Sequence, residues 1–125
     1  MKIISDASVY SMETTDIQTP DSVGSLVEVV RNSLNNKLPI TMRAGGTSLA
    51  GQAVGSGVVI DISKHLNSII DLNVELKEVV VEPGVIQDDL NKILLPHGLR
   101  FAPDTATSNR AMIGGMIGNN SCGSF

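Results

Sequence analysis

Aromatic residues are nearly missing from this chain: tryptophan is absent, and Tyr10, Phe101 and Phe125 are all there is among 125 residues. A protein that stacks single-stranded bases on aromatic platforms needs more of them. Positive charge is also short. Nine Lys and Arg face 13 Asp and Glu, for a formal charge of −4 and a pI near 4.9, which argues against a nucleic-acid backbone as partner. Cys122 is the single cysteine, so no internal disulfide forms. His65 and His97 stand isolated in the sequence, and no Cys, His or carboxylate grouping has metal-ligand spacing, so no metal is expected. The longest apolar runs are far short of the roughly 20 residues that span a bilayer. Met1-Lys-Ile-Ile meets Ser5 and Asp6 without the apolar stretch of a secretory signal. The expectation is a soluble, cytoplasmic protein, and with 42% apolar residues one globular domain with a real core.

What the chain does have is glycine, concentrated in two places. The first is Thr41-Met-Arg-Ala-Gly-Gly-Thr-Ser-Leu-Ala-Gly-Gln-Ala-Val-Gly55, between the apolar Leu38–Arg43 and Gly57–Ile62. This reads as strand, Gly-rich loop, strand. Glycine tolerates positive φ and carries no Cβ, so consecutive backbone N–H groups can turn inward around an anion such as a diphosphate, with Thr47 and Ser48 adding hydroxyl donors. Taken alone, the loop is equally readable as a turn that solves a backbone problem. Two nucleotide-binding motifs are excluded. Gly46 to Gly51 has the glycine spacing of a P-loop, but Gln52 and Ala53 occupy the places of the phosphate-binding lysine and the magnesium-binding hydroxyl. Gly55-Ser-Gly57 opens a strand pattern, not the helix that a Rossmann fingerprint requires.

Along the chain, residues 1–19 show no strong period. Pro20-Asp-Ser22 reads as a helix start, and Val23, Leu26, Val27, Val30 and Leu34 set one apolar stripe on a helix ending near Asn35 and Asn36. Leu38–Arg43 and Gly57–Ile62 are strands, the second apolar enough to be buried on both faces. Lys64 to Ser68 reads as a turn. Ile69–Leu72 and Val74–Val81 read as two further strands around a turn at Asn73. Glu82-Pro-Gly84 ends the second, and a helix is expected from Val85 with Ile86, Leu90, Ile93 and Leu94 as its buried face, Pro96 stopping it and Gly98 following its end. Asp88 and Asp89 are adjacent, so they point to different helix faces and do not make an acid/base pair.

The second glycine concentration lies in Pro103-Asp-Thr-Ala-Thr-Ser-Asn-Arg-Ala-Met-Ile-Gly-Gly-Met-Ile-Gly-Asn-Asn-Ser-Cys-Gly123. Each glycine in a helix costs about 1 kcal/mol relative to alanine. Either a ligand or another backbone approaches Gly114 and Gly115 closely, or side-chain packing requires them.

Together the two stretches resemble the flavin-dependent oxidases and dehydrogenases typified by vanillyl-alcohol oxidase, in their D-lactate, glycolate and 2-hydroxyglutarate dehydrogenase branch. Arg43-Ala-Gly-Gly-Thr-Ser-Leu-Ala-Gly51 resembles that family's first pyrophosphate loop. Glu82-Pro-Gly-Val85 resembles the lead into its second subdomain, and Pro103-Asp104 through Gly114-Gly115 and Asn119-Asn120 its second FAD-binding run. Asp6-Ala-Ser-Val-Tyr10 is similar to the opening segment of the branch. The resemblance implies an α+β, α/β-layered, PCMH-type FAD-binding fold of two subdomains, residues 1–82 and 83–125, the second incomplete.

By the same resemblance FAD lies extended between them. Arg43, Ala44, Gly45, Gly46, Thr47, Ser48, Gly51 and Gln52 form one wall. Pro83, Pro103, Asp104, Thr105, Asn109, Arg110, Gly114, Gly115, Asn119 and Gly123 form the other, and Arg43 or Arg110 offsets the diphosphate charge. Relatives that attach flavin covalently carry a histidine directly after the paired glycines; Thr47 stands there, which implies dissociable FAD. The implied activity is oxidation of a 2-hydroxy acid by a larger enzyme of which this chain is the N-terminal piece. By itself the piece is expected to hold FAD weakly, to lack catalytic residues and to self-associate through open sheet edges. A flavin-bearing electron-transfer subunit, a flavin-free interaction domain and the related reductase of an enolpyruvyl nucleotide sugar are the alternatives.

Overall fold

A computed structural model describes residues 2–123. The chain opens with an antiparallel hairpin, β1 (Lys2–Ser5) and β2 (Ser11–Thr14), followed by a short β3 (Asp16–Gln18). Next come helix α1 (Val23–Asn35), β4 (Ile40–Arg43) and β5 (Val58–Asp61). β3, β5 and β4 form a parallel sheet in that order, with β5 in the middle. Parallel neighbours need a long return connection. α1 supplies the one between β3 and β4, and the Gly-rich segment 44–57 supplies the one between β4 and β5.

The central strand is buried on both faces, as its sequence implies. Val58 and Ile60 join Ile62 and Leu66 in a core covered by Leu26, Val29 and Val30 of α1, while Val59 points the other way to Ile4, Val54 and Ile17. The hairpin therefore closes the second face. Residues 1–19 gave no period because β1 and β2 are four residues each and only Ile4 and Thr14 of them are buried.

α1 begins where the sequence places it, with Ser22 and Ser25 making a reciprocal capping box. Its buried face is turned from the expected one. Leu26, Val29 and Val30 pack on the sheet and Ser33 is buried beneath them, whereas Val23, Val27 and Leu34 are 63%, 47% and 64% exposed. Ser33 is small, and its hydroxyl donates to the Val29 carbonyl at 2.8 Å, so a polar residue completes the stripe.

A second hairpin, β6 (Ile69–Asn73) and β7 (Glu78–Val81), is shorter than expected on its second arm. Residues 74–77 are the turn, with Lys77 at φ 55° and the Leu76 N–H donating to the Asn73 side chain. Helix α2 (Gln87–Leu94) starts two residues later than expected because Ile86 is engaged in an antiparallel bridge with Met112. It buries Gln87, Leu90 and Leu94, and Ile93 is 45% exposed. A 3-10 turn through Pro96 ends at Gly98, at φ 69°. After the loop 103–112, the short α3 (Ile113–Gly118) closes a second core with Val85, Leu90, Leu94 and Ala111, against which Ile69, Leu72, Val79 and Val81 of the hairpin pack. Among the described residues no helix is long and apolar enough to cross a membrane.

Candidate functional site

The first Gly-rich loop leaves β4 at Arg43, turns at Gly46 (φ 64°) and again at Gly51 (φ 78°), and is held from the side by the segment joining β1 to β2. The Ala7 N–H donates to the Gly46 carbonyl at 3.1 Å, and the Arg43 guanidinium donates to the carbonyls of Ser5 at 2.7 Å and Ala53 at 3.3 Å. From the same segment the Asp6 carboxylate accepts the Ala53 N–H at 3.3 Å. Donation from the Ser8 hydroxyl first, then from the Ser8 and Ala53 N–H groups, holds the Asp6 carboxyl below its ordinary range against the opposing effect of burial.

Inside the loop the Ser48 hydroxyl donates to the Gln52 side-chain carbonyl, which also accepts the Ala50 N–H at 3.2 Å. Its donor is thus spent within the loop, unlike the expectation that it faces an anion. The backbone donors are another matter. The N–H groups of Gly45, Gly46, Thr47, Ser48 and Leu49 meet no acceptor among the described residues; Ser48 is buried, Gly46 and Thr47 are half-buried, and Gly45 and Leu49 are exposed. All five residues line one groove of about 860 Å³.

The opposite wall comes from the second glycine concentration. The Gly114 N–H donates to the Pro83 carbonyl at 2.9 Å and the Ile113 N–H to the Val85 carbonyl at 2.9 Å, which seats α3 on the segment after β7. A Cβ on Gly114 would stand 2.6 Å from the Pro83 side chain, so here the glycine serves the approach of another backbone. Gly115 faces across the groove, where an added Cβ would sit 3.2 Å from the Ala44 side chain. At the other end a Cβ on Gly45 would meet the Arg110 carbonyl at 2.6 Å. The two glycine stretches, distant in sequence, therefore touch at two points.

Of the residues singled out in the sequence, Arg43, Ala44, Gly45, Gly46, Thr47, Ser48 and Gln52 line the groove from the first loop. Pro83, Thr105, Gly114, Gly115 and Asn119 line it from the second wall. Gly51, Pro103, Asp104, Asn109, Arg110 and Gly123 are not among its lining residues. Gly51 lies against the Tyr10 ring, and Gly123 leaves no room for a Cβ beside the Asp104 backbone. Arg110 contributes its carbonyl, not its guanidinium, and Arg43 is the cation held in the wall. The floor holds Leu26, Ile40, Ile62, Met112 and Met116, with Thr107, Ala111 and Ser121 beside them. Thr107, Ala111, Met112, Met116 and Ser121 lie within the second glycine stretch without being singled out there, and Leu26, Ile40 and Ile62 belong to no motif. Leu26 and Ile62 read simply as core, and only the closed fold shows that their edges face a ligand-sized space. Among the described residues no group of three His, Cys, Asp or Glu is placed to hold a metal ion.

A family model described as FAD binding domain matches residues 17–125. The chain belongs to the FAD-binding domain family. Its relatives in that family include the D-2-hydroxyglutarate dehydrogenase of Haemophilus influenzae, 38% identical over 98% of this chain and 12% of that protein. The mitochondrial D-lactate dehydrogenase [cytochrome] of Kluyveromyces lactis is 46% identical over 69% of this chain and 15% of its own length. This chain thus spans about an eighth of the length of the first of these. Among solved structures, alkyldihydroxyacetonephosphate synthase shares the fold with a TM-score of 0.75 at 19% identity, over 86% of this chain and 21% of that one.

The groove fits the family's cofactor. A diphosphate needs several donors and no competing carboxylate, and the groove is lined by five consecutive residues whose amides have no acceptor among the described residues, beside a guanidinium fixed by backbone carbonyls. Glycine is needed in both walls: a Cβ on Gly45 would strike the Arg110 carbonyl, one on Gly46 the Arg43 guanidinium, and one on Gly115 would crowd Ala44.

Proposed function

We propose that this groove holds FAD non-covalently and that the protein is a flavin-dependent oxidoreductase acting on a 2-hydroxy acid of the D-2-hydroxyglutarate, D-lactate or glycolate type. The run of N–H groups from Gly45 to Leu49, without an acceptor among the described residues and lining the groove, is the observation that carries the reading. These amides hold the diphosphate, Thr47 donates its hydroxyl, and Arg43 offsets the charge from within the wall. Ala44, Ser48, Gly51 and Gln52 keep the loop in shape. On the opposite side Thr105, Gly114, Gly115 and Asn119 flank the cofactor, Pro83 seats α3, and Pro103, Asp104, Asn109, Arg110 and Gly123 support that wall from behind.

Bound FAD supplies the hydride acceptor, and this chain supplies its binding and orientation. No residue here is assigned to proton transfer. Thr47, where a covalently linked relative would carry histidine, supports a cofactor that dissociates. Residues 1–82 form a first subdomain and 83–125 begin a second, although the β6–β7 hairpin at the end of the first packs against the second core. The protein works in the cytoplasm, and the 125-residue chain alone self-associates through the open edges of its small sheets.

The experiment is to purify the full-length gene product and precipitate it with acid. A flavin spectrum in the native protein, release of FAD into the supernatant, and anaerobic bleaching by one of the three acids are expected. A colourless protein that gains no flavin on titration overturns the reading.

A further inference from the structure

We propose that Gln87 is a positioning residue for the cofactor groove, a clamp that fixes both ends of the loop forming the second wall; this rests on the reading of the groove as an FAD site. Gln87 opens α2 at a position that faces the core, and it is 1% exposed, among the most buried side chains in the molecule. A buried amide is costly unless both its ends are satisfied. Here they are. Its Nε2 donates to the Pro103 carbonyl, and its Oε1 accepts the Thr105 hydroxyl at 2.8 Å. Its own backbone N–H donates to the Ala111 carbonyl at 2.9 Å.

One residue therefore ties the start of the loop, at 103 and 105, to its end at 111. Between those ties the loop closes on itself, with Ser108 donating to the Thr105 carbonyl at 3.1 Å and Arg110 and Ala111 donating to the Thr107 carbonyl at 2.8 and 2.7 Å. Thr105, Thr107 and Ala111 line the groove, and the Arg110 carbonyl backs Gly45 on the first loop. A shift in this loop would reach both walls. Leucine would fill the same volume and leave the Pro103 carbonyl and the Thr105 hydroxyl without their partner. Glutamate would set a carboxylate against the Pro103 carbonyl.

The test measures FAD dissociation constants by flavin fluorescence quenching in the full-length gene product, with melting of the apoprotein alongside. Gln87→Leu is expected to weaken FAD binding about tenfold while the apoprotein still melts cooperatively within several degrees of the unsubstituted protein. Gln87→Glu is expected to weaken it more than about tenfold at pH 8 and to return to within about threefold at pH 5. Burial raises the pKa of the new carboxyl, and the Asp104 carboxylate, which follows Pro103 in the chain, is offset by the Arg100 guanidinium at 4.0 Å. Once protonated, the new carboxyl donates to Pro103 as the amide did. A side chain that only fills the core gives no such return.

If Gln87→Leu fails to fold, the change in Gln87→Glu between the two pH values decides. Dissociation constants within twofold of the unsubstituted protein in both variants and at both pH values overturn the assignment, as does a lowered melting temperature with unchanged affinity. No FAD binding by the unsubstituted protein overturns the cofactor reading itself and this inference with it, so the two failures are told apart.

Discussion

Asp6 sits outside the groove yet governs the loop that forms it. Its carboxylate reaches Ala53 at the loop's return and Ser8 on its own segment, and Arg43 grips the Ser5 carbonyl beside it. Because these donors lower its pKa in the folded chain, the stabilisation is complete above its ordinary value of about 4 and is lost as pH falls through the depressed folded value. Asp16 behaves in the same sense, chiefly through its hydrogen bond from Lys2, and both contributions fade in acid. Asp6→Asn is therefore expected to melt a few degrees lower at pH 7, and the gap to the unsubstituted protein should close as pH is lowered toward 3. Thermal melts across that range check it, and a gap that widens in acid contradicts the role given to the carboxylate. In sequence, Asp6 belongs to a segment that resembles the branch. Its task was not legible there, since the link to Ala53 joins residues 47 apart in the sequence.

At the scale of the element, α1 shows what a pattern of apolar residues can and cannot say. The helix, its start at Ser22 and its end near Asn36 are all legible, because capping chemistry and period are local. Which face is buried depends on where the sheet lies. Val23, Val27 and Leu34 have the spacing of a stripe but look outward, and the true stripe runs through Leu26, Val29, Val30 and Ser33. Leu26→Ala is expected to cost about 2–3 kcal/mol in urea unfolding, through lost burial and a cavity against the sheet. Leu34→Ala, at 64% exposure, should cost less than about 1 kcal/mol. Equal costs would restore the stripe read from the sequence. The β1–β2 hairpin was illegible for a related reason: its strands are short, and only Ile4 and Thr14 are buried to mark a face. By contrast, the glycine loops stood out because their composition is itself the signal.

For the whole molecule the question is how two cores come to share one slot. Met112 and Ala44 both pack on the first core, although Met112 belongs to the stretch of chain that builds the second, so the two walls are held together by protein contacts. Gly115 is the point where their spacing is set. It lies inside α3, where alanine is favoured over glycine by about 1 kcal/mol, and an alanine methyl would come within 3.2 Å of the Ala44 side chain. That contact is tight but yields to a shift of a few tenths of an ångström, so folding loses little and the helix gains. The groove, however, narrows between the walls proposed to hold the diphosphate. Gly115→Ala is therefore expected to leave the apoprotein's melting temperature unchanged or slightly higher while weakening FAD binding by about tenfold or more, read by calorimetric titration of the full-length gene product. A substitution that improves the fold and harms the ligand would separate the two uses of glycine here. Gly114 would not make that separation, since a Cβ there collides with Pro83 and damages both. If Gly115→Ala binds FAD as tightly as the unsubstituted protein, the cofactor does not run between Ala44 and α3.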